Sequence, residues 1–157
     1  MIHEDITEFA TALPPFTGIA GLDLGTKTIG VALSDRLLTV ATPLETIRRK
    51  KFTLDAEALL ALLRGREAGG IVLGLPRNMD GSEGPRAQAS RAYAKNLAAA
   101  LELPVLLWDE RWSTQSAEAA MIGLDVSRRK RAERIDAEAA TVILQAAIDA
   151  ATGSPLL

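Results

Sequence analysis

Three acidic residues in this chain stand where a carboxylate needs a reason. Asp23 interrupts the apolar run around GLDLG, Glu110 follows the apolar run LPVLLWD, and Asp136 opens the Ala-rich segment RIDAEAATVILQ. A carboxylate in an apolar element is costly to bury unless a cation or a hydrogen-bonding turn satisfies it. Carboxylates converging from separate elements are what phosphodiester cleavage by two metal ions requires, because ions about 3.5 to 4 Å apart must clamp both the attacking and the leaving oxygen. Mg2+ suits that chemistry, since it accepts a few carboxylates and keeps its other positions for water and phosphate. Simpler roles are open to each acid. Asp23 can cap the Gly25-Thr26 turn, Asp136 can cap a helix or favour the positive end of its dipole, and Glu110 can pair with Arg111 or Arg134 at the surface.

Composition narrows the alternatives. The 157 residues include no Cys and one His, His3, which falls in what reads as a loose N-terminus. Disulfides, thiolate zinc sites and Cys nucleophiles are thereby excluded, and a Ser-His-Asp triad nearly so. Acid-base or metal chemistry must fall to carboxylates. With 48% hydrophobic and 24% charged residues the chain reads as one ordinary globular domain. A net charge of −2 carries no global signature of nucleic-acid binding, so such binding must rest on local patches. There is no run of about eighteen apolar residues to span a bilayer. The opening MIHEDITEFA, with three acids and no Lys or Arg, fits neither a secretory signal nor a transit peptide, so a cytoplasmic protein is expected.

The elements that must position the acids follow from the pattern. Ile19 to Leu24 and Thr28 to Ser34 read as two strands joined by the tight Gly25-Thr26-Lys27 link, and Thr39 to Ile47 as a third, with Pro43 marking an edge. Thr53 is placed to cap a helix carrying Leu54, Ala58, Leu59, Leu62 and Leu63. Ile71 to Leu75 reads as a strand covered on both faces, followed by a turn-rich loop, Pro76 to Arg86, and a helix from about Ala87 to Leu101. Leu103 to Trp108 is a further buried strand that delivers Asp109, Glu110 and Arg111 at its end. A short helix over Gln115 to Leu124, a basic linker over Ser127 to Arg134, and a largely buried helix over Ile135 to Ala150 complete the chain. Residues 1–17 read as an arm on the surface, 18–151 as the domain and 152–157 as a tail. The order implies an α/β fold: a mixed five-stranded sheet, three antiparallel strands then two parallel, with helices on both faces. In such sheets ligands collect beyond the carboxyl ends of the parallel strands, where Asp109 and Glu110 are expected.

The segments GLDLGTKTIGVALSD, IVLGLPRNMDGSEGPRAQ, LPVLLWDERWST and RIDAEAATVILQ together resemble the YqgF/RuvX family, whose members have a ribonuclease H-like fold. The resemblance runs from about Gly18 to Asp149. Members are described as nucleases that mature the 5′ end of precursor 16S ribosomal RNA, and some as Holliday-junction resolvase-like. What the resemblance implies is a hydrolase using Mg2+ or Mn2+, with Asp23, Glu110 and Asp136 as its catalytic and metal-holding residues. The position after the last Asp, often Lys in the family, is Ala137 here.

Around these acids lie residues suited to a sugar-phosphate backbone. Gly25, Thr26 and Lys27 offer backbone N–H groups and a cation beside Asp23. Asn78, Asp80, Gly81, Glu83 and Arg86 share the loop after the fourth strand, and Arg111 and Thr114 follow Glu110. Arg128, Arg129, Lys130 and Arg131 are four consecutive cations, read either as a phosphate-gripping loop or as a solvated face. Trp108 reads as core, while Trp112 is open to base stacking or to packing. The expected partners are structured RNA, precursor rRNA or the ribosome, with branched DNA as the alternative and no membrane. A resolvase needs a two-fold dimer, whereas no helix here has a spare apolar stripe, so a monomer is expected, with a dimer as the resolvase alternative. DLGT followed by Lys also resembles the phosphate hairpin of actin-like and sugar-kinase ATPases, but those close two domains over the nucleotide and this chain has room for one. A non-catalytic RNA or transcription-complex binding module is the remaining alternative.

Overall fold

A computed structural model describes residues 1–112 and 128–152. Its elements are β1 (Ile2–His3), α1 (Ile6–Ala12), β2 (Gly18–Leu24), β3 (Thr28–Ser34), β4 (Ala41–Arg48), α2 (Phe52–Leu63), β5 (Ala68–Leu75), α3 (Pro85–Leu101), β6 (Val105–Asp109), a 3-10 turn (Glu110–Trp112) and α4 (Arg128–Thr152). The sheet order is β1-β6-β5-β2-β3-β4. Neighbours β2, β3 and β4 run antiparallel, while β2, β5, β6 and β1 run parallel. As Pro43 indicates, β4 is an edge.

The sheet has six strands rather than five because residues 2 and 3 add a strand to β6, pairing Ile2 with Val105 and His3 with Leu106. The first seventeen residues are therefore not a surface arm. The Asp5 carboxylate caps α1 by accepting the Thr7 and Glu8 N–H groups, and Phe9 is fully buried. That docking needs Gly70, since a Cβ there would meet Leu13 Cδ2 at 2.5 Å and the Phe9 ring at 2.9 Å. His3 is buried with it. Two-residue strands and seven-residue helices are too short for hydrophobic periodicity to declare them.

One apolar cluster fills the face covered by α2 and α3, built on Leu22, Val31, Leu73, Leu59 and Leu97, and the other fills the face covered by α1 and α4, built on Ile19, Val72, Leu106, Ile143 and Leu144. Two helix starts differ from expectation. Helix α2 begins at Phe52, and Thr53 does not cap it; instead the buried Asp55 reaches back to accept the Lys50 N–H at 2.8 Å and the Tyr93 hydroxyl at 3.1 Å. Helix α4 begins at Arg128, not Ile135, so the four cations form its opening turn rather than a linker or a loop. Cations at a helix N-terminus oppose the dipole, yet Arg and Lys are strong helix formers, and here propensity prevails. The short helix expected over Gln115 to Leu124 lies outside the described residues. Among the described residues no helix is long and apolar enough to cross a membrane.

Candidate active site

The site is built on one row across the sheet. Asp23 pairs with Gly30 across the β2–β3 ladder, and Gly30 pairs with Thr46 of β4. On the other side Leu22 pairs with Leu73, which sets Gly74 beside Asp23, and Gly74 pairs with Trp108 of β6. Asp23 is thus flanked by two strand positions without side chains, and both vacant volumes are used by the other acids. A Cβ on Gly74 would lie 2.7 Å from the Glu110 side chain, and one on Gly30 would lie 1.9 Å from the Asp136 carbonyl oxygen. A third glycine, Gly21, lets α4 lie directly on β2, since a Cβ there would meet Leu144 Cβ at 2.7 Å. In this way elements distant in the chain bring Glu110 and Asp136 to the two sides of Asp23.

Glu110 folds back from the turn after β6 and is hydrogen-bonded to Asp23. Burial, then the hydrogen bond and charge of Asp23, push the Glu110 carboxyl up to about 9, with Arg86 opposing the shift. At neutral pH Glu110 therefore keeps its proton, held against Asp23. Asp136, in the third turn of α4 and not the first, accepts the Thr28 hydroxyl at 2.6 Å. Helix N-capping is thus not its role. Among the described residues no three acidic or His side chains are gathered tightly enough to hold an ion as they stand. Asp23 and Glu110 lie at the floor of a cleft of about 400 Å³, walled by Pro76, Arg77, Met79, Arg86 and Arg111. Cleft, paired carboxylates and flanking cations form a site that can accept a polyanion and a cation together.

The model of the family described as "RuvX: Holliday junction resolvase" matches residues 17–150. The chain belongs to the RuvX family. A RuvX relative in Ruegeria pomeroyi, named "Putative pre-16S rRNA nuclease", is 63% identical over 149 residues, covering 95% of this chain and 97% of its own. The fold is that of RuvC from Thermus thermophilus, solved with a Holliday junction substrate: TM-score 0.54 at 17% identity, over 88% of this chain and 97% of that one. The fowlpox virus Holliday junction resolvase has the same fold, at a TM-score of 0.50 and 12% identity over 85% of this chain and 99% of its own. Both agree with the ribonuclease H-like architecture.

The surrounding residues of this RuvX chain divide by what their polar atoms already do. The Gly25 N–H closes the hairpin turn onto the Thr28 carbonyl at 2.8 Å, while Thr26 and Lys27 are exposed at its tip. Asn78 and Asp80 shape their own loop. Asn78 bonds Ser82 through backbone and side chain, Asp80 accepts the Ser82 N–H and hydroxyl, and Gly81 turns the chain at φ +88°. Arg86 reaches the Leu24 carbonyl at 3.3 Å beside Asp23. Arg111 is forked onto Asp109, with Nη2 to Oδ2 at 2.6 Å. Glu83 pairs with Arg91 at 2.6 Å and Arg77 at 3.4 Å, and Glu4 joins Arg91 at 2.9 Å, so the N-terminal strand steadies the loop. Trp108 is half-buried against the α4-side cluster. Thr114 lies outside the described residues, as do the side chains of Trp112 and of Arg128 to Arg131. Sequence reasoning passed over Gly30, Gly74, Thr28 and Arg77. Glycine beside a charged strand residue was the one available signal for the first two.

Proposed function

We propose that this RuvX-family chain is a divalent-metal-dependent nuclease that hydrolyses a phosphodiester of structured RNA, namely precursor 16S rRNA at its 5′ end, in the cytoplasm. The observation that carries the reading is the Asp23–Glu110 pair at the floor of a cation-walled cleft. Two half-buried carboxylates in contact are a poor arrangement without a cation and a good one with it, so the donor set fits Mg2+ or Mn2+. Asp23 and Glu110 would hold the ion, with Asp136 joining once its carboxylate leaves Thr28. The chemistry such an ion supplies is Lewis-acid stabilisation of charge on the phosphodiester. Arg86 and Lys27 bind phosphate oxygens on either side of Asp23, and the hydrogen-bonded loop over residues 76–84 fixes the wall against which the strand lies. Arg128 to Arg131, four consecutive cations, add positive charge suited to phosphate. The name of the Ruegeria relative supports rRNA as the substrate, and cutting one RNA strand requires only a monomer.

The test is cleavage by purified protein with Mg2+ or Mn2+, on precursor 16S rRNA and on a four-way DNA junction, for wild type and Asp23→Asn. Expected are site-specific cuts in the RNA that Asp23→Asn abolishes while its circular dichroism is unchanged. Paired symmetric nicks in the junction would instead establish resolution, the activity named for the family. Tight binding without any cleavage would make the chain a binding module.

A further inference from the structure

A second run of four cations, Arg48-Arg49-Lys50-Lys51, links β4 to α2, and the hairpin turn beside Asp23 is built onto it. The Arg49 N–H donates to the Lys27 carbonyl at 2.9 Å, and Arg49 Nη1 donates to the Gly25 carbonyl at 2.7 Å. The same guanidinium lies 5.2 Å from the centroid of the Tyr93 ring. Arg49 is therefore an anchor, spent on the turn. Arg48, Lys50 and Lys51 are exposed, and among the described residues none of them forms an ion pair. Glu45 and Glu57 line the neighbouring groove with Arg48 and Lys50 without pairing to them. Arg48 stands opposite Thr28, the residue whose hydroxyl holds Asp136.

We propose that Arg48, Lys50 and Lys51, with Lys27, form a phosphate-binding track that holds the substrate strand beyond the cleft, with Arg49 as the positioning residue that locks the track to the hairpin turn. The proposal rests on the nuclease reading for its substrate. Asp23 and Arg48 are separated by two strand spacings and two residues along the chain, about 12 Å. The track therefore engages backbone phosphates a few nucleotides away from the bond at Asp23. Cations that form no ion pair among the described residues, on a link bonded to the hairpin turn, contact a phosphate without first breaking such a pair, which is why this run suits an extended polyanion.

The test uses the full chain in EDTA, so that binding is measured without cleavage and its failure is separate from that of the nuclease reading. A fluorescent single-stranded RNA is titrated against wild type and Arg48→Gln/Lys50→Gln/Lys51→Gln over a range of salt. Three lost phosphate contacts should make the slope of log affinity against log salt shallower by about 2. The charge-keeping variant Arg48→Lys/Lys50→Arg/Lys51→Arg should restore it. A longer RNA should lose more affinity than one short enough to fill only the cleft. The wild-type slope in the Gln variant, or no RNA binding by wild type, would overturn the track. Loss of binding to a polyglutamate chain, with RNA binding intact, would overturn it in favour of an acidic protein partner.

Discussion

Gly30→Ala probes whether the close approach of α4 to the sheet sets the site. The added Cβ would lie 1.9 Å from the Asp136 carbonyl oxygen, 2.3 Å from its carbon and 3.0 Å from the Ala137 nitrogen. Ordinary contact begins at 3.4 Å, so the helix must retreat by about 1.5 Å at this point. The obstacle is helix backbone, which cannot rotate aside as a side chain can. Nor can α4 swing freely, because Ala140, Ile143, Leu144, Ala147 and Ile148 are buried against β2, β3 and β5. Over-packing of this kind costs about 1–3 kcal/mol, which for a domain of this size lowers the melting temperature by roughly 2–12 °C. The larger effect falls on activity. Asp136 moves from Asp23 by more than about 1 Å, a misplacement that costs on the order of 100-fold in rate. Thermal melting followed by circular dichroism reads the first effect, and single-turnover cleavage of precursor rRNA with Mg2+ reads the second. Gly30→Ala with the wild-type melting temperature and a rate within about twofold of wild type would refute the row of Asp23, Gly30 and Asp136 as the frame of the site.

Glu110 is raised above its unfolded value, so the folded state holds its proton more tightly, and that contribution is complete below pH 4.5 and lost as pH rises toward about 9. In EDTA, wild-type stability from urea unfolding should fall by up to about 1.4 kcal/mol per pH unit across that window, and Glu110→Gln should flatten the slope. Identical slopes would remove the account of a Glu110 carboxyl held protonated by its surroundings. Phe9→Ala should cost about 3–5 kcal/mol in the same assay, because the side chain is fully buried under α1, and a near-neutral result would return residues 1–17 to the surface. Ser34→Ala should cost about 1–3 kcal/mol, since the buried Ser34 hydroxyl accepts the Ile19 N–H at 2.8 Å and its loss leaves that donor unpaired; unchanged stability with a normal fold would count against it.

Local chemistry was legible in the sequence. The hairpin of β2 and β3 follows from alternation and the Gly25-Thr26-Lys27 link, β5 from its apolar run, the edge position of β4 from Pro43, and the placement of Asp23 on a strand and Glu110 just beyond one from the apolar runs they interrupt or follow. These are short-range signals, because strand pairing and turn geometry restrict neighbouring residues directly. Boundaries set by packing were less visible. The start of α4 at Arg128 precedes the apolar run the sequence shows, and β1 with α1 is too short to show a period. The partnership of the acids was decided by tertiary structure alone. Hydrophobic pattern tells which face of a strand is covered, but not what stands over a glycine. Only the assembled sheet sets Glu110 over Gly74 and Asp136 over Gly30. The Glu110 carboxyl carries its raised affinity for a proton because the fold packs it against Asp23, and Arg49 is held against the hairpin turn by its bond to the Gly25 carbonyl. Such effects depend on distances between residues far apart in the chain, which a linear sequence does not contain.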